Sequence, residues 1–136
     1  MTREALRQQM LMRALWRDDA ALQGWVRALA RASAAQGVAA MERALAETLA
    51  YVKERKAFGQ AIWDFQNTKF KLAEVQATVL ATRAFVDACM VAHLKGELDA
   101  ARAALAKAWV SEQQGKVMDE CLQLFGGYGY MMEYPI

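Results

Sequence analysis

Proline occurs once in this 136-residue chain, at Pro135. Nothing before it carries the one residue that removes a backbone N–H and clashes with the preceding helical turn. Alanine is abundant and β-branched residues are sparse, so long helices form at low entropic cost. Helix ends must then come from glycines and caps. The length suits a single domain over residues 1–136, and a hydrophobic fraction of 56% supplies a core.

The apolar spacing predicts four helices. The first runs over about 3–16, with Leu6, Met10 and Ala14 at four-residue steps and Thr2 as its cap. Asp18 and Asp19 suit the next N-terminus, where free amides and the helix dipole favour carboxylates. The second helix runs over about 19–56, with Met41, Leu45, Thr48 and Val52 on one face. Gly24 and Gly37 weaken it and are the places where a break would fall. A bend at Phe58-Gly59-Gln60 ends it. The third runs over about 64–95, capped by Asp64 and stopped by Gly96. Leu72, Val75, Val79, Thr82 and Val86 face inward, flanked by Phe85 and Cys89. The fourth runs over about 98–125, with Leu98, Ala101, Leu105, Ala108, Val117, Cys121 and Leu124 inward. Gly126 and Gly127 end it by allowing positive φ. No stretch alternates long enough for a strand. Short connections between long helices imply an all-α, up-down four-helix bundle.

A net charge of +2, with bases and acids interleaved, argues against a nucleic-acid partner. Cys89 and Cys121 lack metal-ligand spacing and read as buried thiols of a reducing compartment. No apolar run is read as a membrane span. The first 31 residues hold six arginines, but Glu4, Asp18 and Asp19 and the lack of serine argue against a transit peptide. The expected setting is therefore cytoplasmic and bacterial in type, ahead of a mitochondrial matrix.

Three clusters stand out from the helical background. Arg55 is by itself a cation at a helix end, complementing the dipole. It also precedes a sharp Phe58-Gly59 turn, and its rigid fork suits a phosphate. Phe65 and Gln66 read locally as a core ring and a surface amide. Gln123, Gly126 and Gly127 read as a helix end, where glycine also permits close approach of a ligand to the backbone. Gly127-x-Gly129 is not a dinucleotide fingerprint, since no strand precedes it. His93, the only histidine, has no Cys, Asp or Glu at ligand spacing and reads as structural. Trp16, Trp25, Trp63 and Trp109 read as core or interface residues. No metal site and no catalytic residue is assigned.

In order and separation, Glu54-Arg55-x-x-Phe58-Gly59, Asp64-Phe65-Gln66-Asn67 and Gln123-x-x-Gly126-Gly127 through Glu133-Tyr134-Pro135 resemble the C-terminal helical domain of the acyl-CoA dehydrogenases. The resemblance is dense from about Ala39 to Ile136, and residues 1–36 diverge from it. It implies that Arg55 reaches the pyrophosphate of an FAD held by a neighbouring subunit. Phe58, Phe65, Gln66, Gln123, Gly126 and Gly127 would complete that contact. It also implies self-association as a dimer or tetramer, or association with the family's other dehydrogenase domains. Acyl-CoA would bind only in a complete enzyme.

There are departures from the family. Ala61 replaces the usual proline two residues before Trp63. Ala30 falls where the family has an arginine near the thioester, with Arg27 and Arg31 out of register. Leu29 falls at one of the family's two positions for the catalytic glutamate, and Glu133 belongs to the Glu-Tyr-Pro motif as a structural residue. The chain is thus expected to be one truncated domain, silent alone and holding FAD weakly or not at all. A second reading is a free-standing or engineered, non-catalytic helical interaction module.

Overall fold

The computed structural model describes residues 20–134 and 136. The predicted helix over 3–16, its cap Thr2 and the Asp18-Asp19 pair lie outside them. The described residues form three helices: α1 (Ala20–Glu54), α2 (Gln66–Leu94) and α3 (Ala100–Phe125). The fold is all-α, with three of the four predicted helices among the described residues. Contacts fix their directions. Arg31 meets His93 and Glu42 meets Arg83, so α1 and α2 are antiparallel. Lys71 meets Glu120 and Thr82 meets Trp109, so α2 and α3 are antiparallel as well.

The main core joins all three helices. Met41, Leu45, Thr48 and Val52 of α1 are buried, as their spacing predicts. Leu72, Val75, Val79, Thr82, Val86 and Cys89 of α2 are buried too, with Phe85 half-buried. Two of the buried threonines have bonded hydroxyls. Thr48 Oγ1 donates to the Ala44 carbonyl at 2.7 Å, and Thr82 Oγ1 accepts from Trp109 Nε1 at 3.3 Å. Both cysteines are free and buried. Burial pushes the Cys121 thiol up from its ordinary value, the state of an inert core thiol.

Several local expectations are corrected. α1 does not break at Gly24 or Gly37. A Cβ at Gly37 would lie 2.5 Å from Val110 Cγ1 and 3.0 Å from Gln114 Oε1. Glycine there lets α1 and α3 approach closely. That approach also resets the inward face of α3. Ala101, Leu105 and Ala108 are exposed, Leu105 by 66%, while Ala103, Ala106, Val110 and Gln113 are buried. Small side chains fit the narrow gap, and leucine does not. Asp64 does not cap α2. It closes a 3-10 turn (Ile62–Asp64), and Phe65 is the N-cap residue, without a side-chain bond.

Asp99 caps α3 by accepting from the Arg102 N–H at 2.6 Å. Gly96 ends α2 as predicted, with φ +75°. The Glu97 N–H reaches the Ala92 carbonyl and the Gly96 N–H reaches the His93 carbonyl, a Schellman ending. Gly126, with φ +58°, ends α3; Gly127 has no positive φ.

A strand pair also appears where none was expected. β1 (Lys56–Ala57) and β2 (Gln60–Ala61) pair antiparallel around Phe58 and Gly59. Both turn residues have positive φ, 54° and 84°, as a two-residue hairpin turn of the I′ kind requires. The pair is too short for alternation to reveal it.

α2 carries a second apolar stripe. Phe70, Ala73, Ala77, Leu80, Ala84, Ala88 and Val91 recur at three- and four-residue steps and are all exposed. This stripe lies opposite the buried one, so α2 is apolar on two faces. It also makes α2 long and apolar enough to cross a membrane by length and composition, against the expectation that no run qualifies. α2's other face nonetheless packs as a core helix against α1 and α3.

Candidate functional site

The predicted site residues gather at the end of the bundle where α1 finishes and α3 begins its final turn. Arg55 follows the last residue of α1. Its N–H donates to the Tyr51 carbonyl and its carbonyl accepts from the Ile62 N–H, both at 2.8 Å. The hairpin thus starts rigidly from the helix. The guanidinium carbon lies 4.6 Å from the centre of the Tyr128 ring. A cation stacked on an aromatic face leaves its in-plane N–H donors available. Among the described residues Arg55 makes no ion pair.

Tyr128 is placed by the helix end. Gly126 turns the chain at positive φ, its N–H donating to the Gln123 carbonyl, and residues Gly126–Tyr130 form a 3-10 turn. A Cβ at Gly129 would lie 2.7 Å from Leu122 Cδ1, so the turn folds tightly onto α3. Beneath it, Tyr51 stacks on Phe125 with centroids 4.1 Å apart, and Tyr134 meets both rings edge-on. The Tyr51 hydroxyl donates to the Phe125 carbonyl at 3.4 Å. Burial pushes the Tyr51 phenol above its ordinary range, with nearby Arg55 acting the other way.

On the hairpin, Phe58 is 97% exposed, and its ring meets Phe65 edge-on at 6.4 Å. Phe65 is half-buried and Gln66, the first residue of α2, is exposed. Two groups therefore form. Arg55 sits with Tyr128 and the turn carrying Gln123, Gly126 and Gly127; Phe58 sits with Phe65 and Gln66. The short hairpin links them, and no hydrogen bond, ion pair or ring contact joins them directly among the described residues. Gln123, Gly126 and Gly127 are exposed.

The motif reading missed Tyr51, Tyr128 and Tyr134. Tyr51 could have been found from its place four residues before Arg55, on the same helix face. Tyr128 could have been found from its position between two glycines, where a ring has no local packing reason to be. The donor set fits one end of a phosphate-bearing nucleotide: an unpaired guanidinium, exposed amides, an exposed ring and a glycine turn. Among the described residues no group of three His, Cys, Asp or Glu could hold a metal ion.

This arrangement defines an all-α domain with a hairpin and a glycine turn at one end. Residues 28–136 match the family described as acyl-CoA dehydrogenase, C-terminal domain, starting earlier than the dense resemblance near Ala39. The chain belongs to that family, in its C-terminal domain. It is 48% identical over 99 residues to a mouse mitochondrial long-chain specific acyl-CoA dehydrogenase, covering 73% of this chain and 23% of that protein. A short-chain specific acyl-CoA dehydrogenase of Megasphaera elsdenii is 38% identical over 103 residues, 76% of this chain and 27% of that protein. The solved butyryl-CoA dehydrogenase of Megasphaera elsdenii superposes with a TM-score of 0.77 at 35% identity. That match covers 81% of this chain and 29% of the solved one. An acyl-CoA dehydrogenase from Geobacillus kaustophilus gives 0.78 at 35% identity, with the same coverage. The chain thus spans about a quarter of the length of these relatives, which include both mitochondrial and bacterial proteins.

Proposed function

We propose that this domain completes the FAD site of a neighbouring subunit in an acyl-CoA dehydrogenase and helps hold the subunits together. The observation that carries the reading is Arg55. Its guanidinium is backed by Tyr128, has no carboxylate partner among the described residues, and is aimed from a rigid hairpin. A fork so held meets a pyrophosphate with two charge-assisted hydrogen bonds. Phe58 and Phe65 offer apolar edges beside it, while Gln66 and Gln123 supply amides that donate and accept. The turn at Gly126 and Gly127 presents backbone without side chains, so a nucleotide can come close. Bound FAD would accept a hydride from the acyl-CoA thioester. This chain's part is to bind and orient the cofactor, and no residue of it is given the proton-abstracting role.

The outer stripe of α2 supports the assembly half of the proposal. An apolar face of that length on a helix marks a surface covered by another chain, here a second copy or the family's other domains. Alone, the chain is catalytically silent and its half-site holds FAD weakly. The reading is tested by flavin fluorescence titration of the starting protein, Arg55→Ala and Arg55→Lys. Hydrogen bonds to charged groups contribute roughly 1.5–3 kcal/mol, so Arg55→Ala weakens binding on the order of tenfold or more. Arg55→Lys restores charge without the fork and recovers part of it. Equal affinity in all three would remove the nucleotide role. Dye reduction with a panel of acyl-CoAs and added FAD checks the silence, and turnover above the no-protein control would overturn it.

A further inference from the structure

Tyr128 stands between Gly127 and Gly129, yet its ring centre lies 4.6 Å from the guanidinium carbon of Arg55, 73 positions earlier. We propose that Tyr128 is a positioning residue for Arg55. Its ring sets the plane of the guanidinium, and so the direction in which the fork meets a nucleotide phosphate. This inference rests on the nucleotide role proposed for Arg55 and adds the group that orients it.

The Tyr128 ring is itself held, because the contacts around it return to their starting point. The Arg55 N–H donates to the Tyr51 carbonyl at 2.8 Å. The Tyr51 ring meets Tyr134 edge-on at 5.8 Å, Tyr134 meets Tyr128 at 5.1 Å, and Tyr128 returns to Arg55. Buried Phe125 braces two members of this circuit, stacking on Tyr51 at 4.1 Å and meeting Tyr134 at 6.0 Å. Backbone bonds fold the tail into place. The Met131 N–H donates to the Tyr128 carbonyl at 3.1 Å, and the Tyr134 N–H donates to the Met131 carbonyl at 3.3 Å. Two successive turns thus bring Tyr134 back beside Tyr128. The end of α1, the end of α3 and the tail are joined through these rings.

A ring suits this task better than a carboxylate. A carboxylate would occupy the donors of the fork and cancel its charge. An aromatic face attracts the cation through its quadrupole and leaves the in-plane N–H groups free. Glu54 adjoins Arg55 and Glu133 adjoins Tyr134, but neither forms an ion pair with Arg55 among the described residues. An unsupported exposed arginine samples many rotamers, and freezing them on binding costs affinity. A fork already stacked on a held ring has less freedom left to lose.

The test compares the full chain with Tyr128→Phe and Tyr128→Leu, each also made together with Arg55→Ala. The first readout needs no ligand. Proton NMR of the Arg55 side chain should show its δ-methylene and Nε–H shifted upfield by the ring in the starting protein and in Tyr128→Phe. In Tyr128→Leu they should return to ordinary arginine positions. The second readout is flavin fluorescence titration with FAD. A cation–π contact at an exposed site is worth a factor of about two to five, so Tyr128→Leu should weaken FAD by that factor and Tyr128→Phe should keep the affinity. On the Arg55→Ala background Tyr128→Leu should have no further effect, since a residue that acts through Arg55 then has nothing to act on. A merely structural role would persist there. Arg55 shifts that are the same in Tyr128→Leu, or an equal loss of affinity on the Arg55→Ala background, overturn the proposal. An intact ring shift with equal FAD affinity in Arg55→Ala would sink the nucleotide role, and the positioning role with it. A missing ring shift with Arg55 still needed for FAD would sink the positioning role alone. Should Tyr128→Leu fail to fold by circular dichroism, the starting protein decides: Arg55 protons at ordinary positions refute the stack.

Discussion

Gly37 and Val110 are so close that a single added methyl on Gly37 would stand 2.5 Å from the valine Cγ1. Glycine in a helix interior is normally a weakness of about 1 kcal/mol relative to alanine. Here the weakness is the condition for packing α1 on α3. Gly37→Ala should therefore destabilise the fold by about 1–3 kcal/mol through overpacking. Gly24, where an added Cβ would meet none of the described residues within 4 Å, is the contrast. Gly24→Ala should stabilise by up to about 1 kcal/mol. Thermal melts of the two variants check the pair, and a shared direction of change would refute the contact argument.

Phe58 combines a positive φ with an almost fully exposed ring. A left-handed backbone costs a non-glycine residue about 1–2 kcal/mol, and no buried packing of its ring repays that. Phe58→Gly should leave the melting temperature unchanged or higher while weakening flavin binding. A variant that loses stability yet binds flavin normally would show that the ring serves the fold alone.

The outer stripe of α2 predicts self-association. Leu80→Glu places a charge in its middle, on an exposed position that the bundle itself does not use. Sedimentation across a dilution series should find the starting protein associated and the variant shifted toward monomer, with equal helix content. A starting protein that is monomeric throughout would mean that the stripe has no second copy as its partner.

Glu42 and Arg83 form a two-pronged ion pair between α1 and α2. The hydrogen bond from Arg83 holds the Glu42 carboxyl below the usual carboxylate range. A depressed acid stabilises the fold above that range, and the benefit is lost as pH falls through it. Both partners are more than a third exposed, so water screens the pair to about 0.5 kcal/mol. Glu42→Gln should flatten the acid limb of a stability-against-pH curve slightly while leaving the region above pH 6 parallel. An unchanged acid limb would count against the pair.

The helices were legible in the sequence because valine and leucine mark the inward faces of α2 and the second half of α1. The phase of α3 was not. Leu105 attracts the eye as core, yet the close α1–α3 approach set by Gly37 admits only Ala103 and Ala106 there. Spacing alone cannot say which of two helix faces meets a glycine on a distant segment. The proposed site residues Arg55, Phe58, Phe65, Gln66, Gln123, Gly126 and Gly127 were assigned by motif alone. The stacking of Tyr51 with Phe125 and Tyr134 joins residues more than seventy positions apart, so local spacing pointed to Tyr51 and Tyr128 as positions but not to the rings that Tyr51 meets. The hairpin escaped because two-residue strands leave no periodicity.

α1 is a single unbroken rod from Ala20 to Glu54, with Arg31 in its first half and Arg55 just past its end. Twenty-four residues at 1.5 Å each separate them by about 36 Å. The helix therefore acts as a ruler and a protractor together, fixing both the distance and the angle between the two arginines. One residue inserted in its middle would turn Arg55 by about 100° relative to Arg31 and lengthen the rod by about 1.5 Å. Arg31 could keep its place opposite His93, or Arg55 could keep its place over Tyr128, but not both. Length variation in this helix is thus far less tolerable than most substitutions along it.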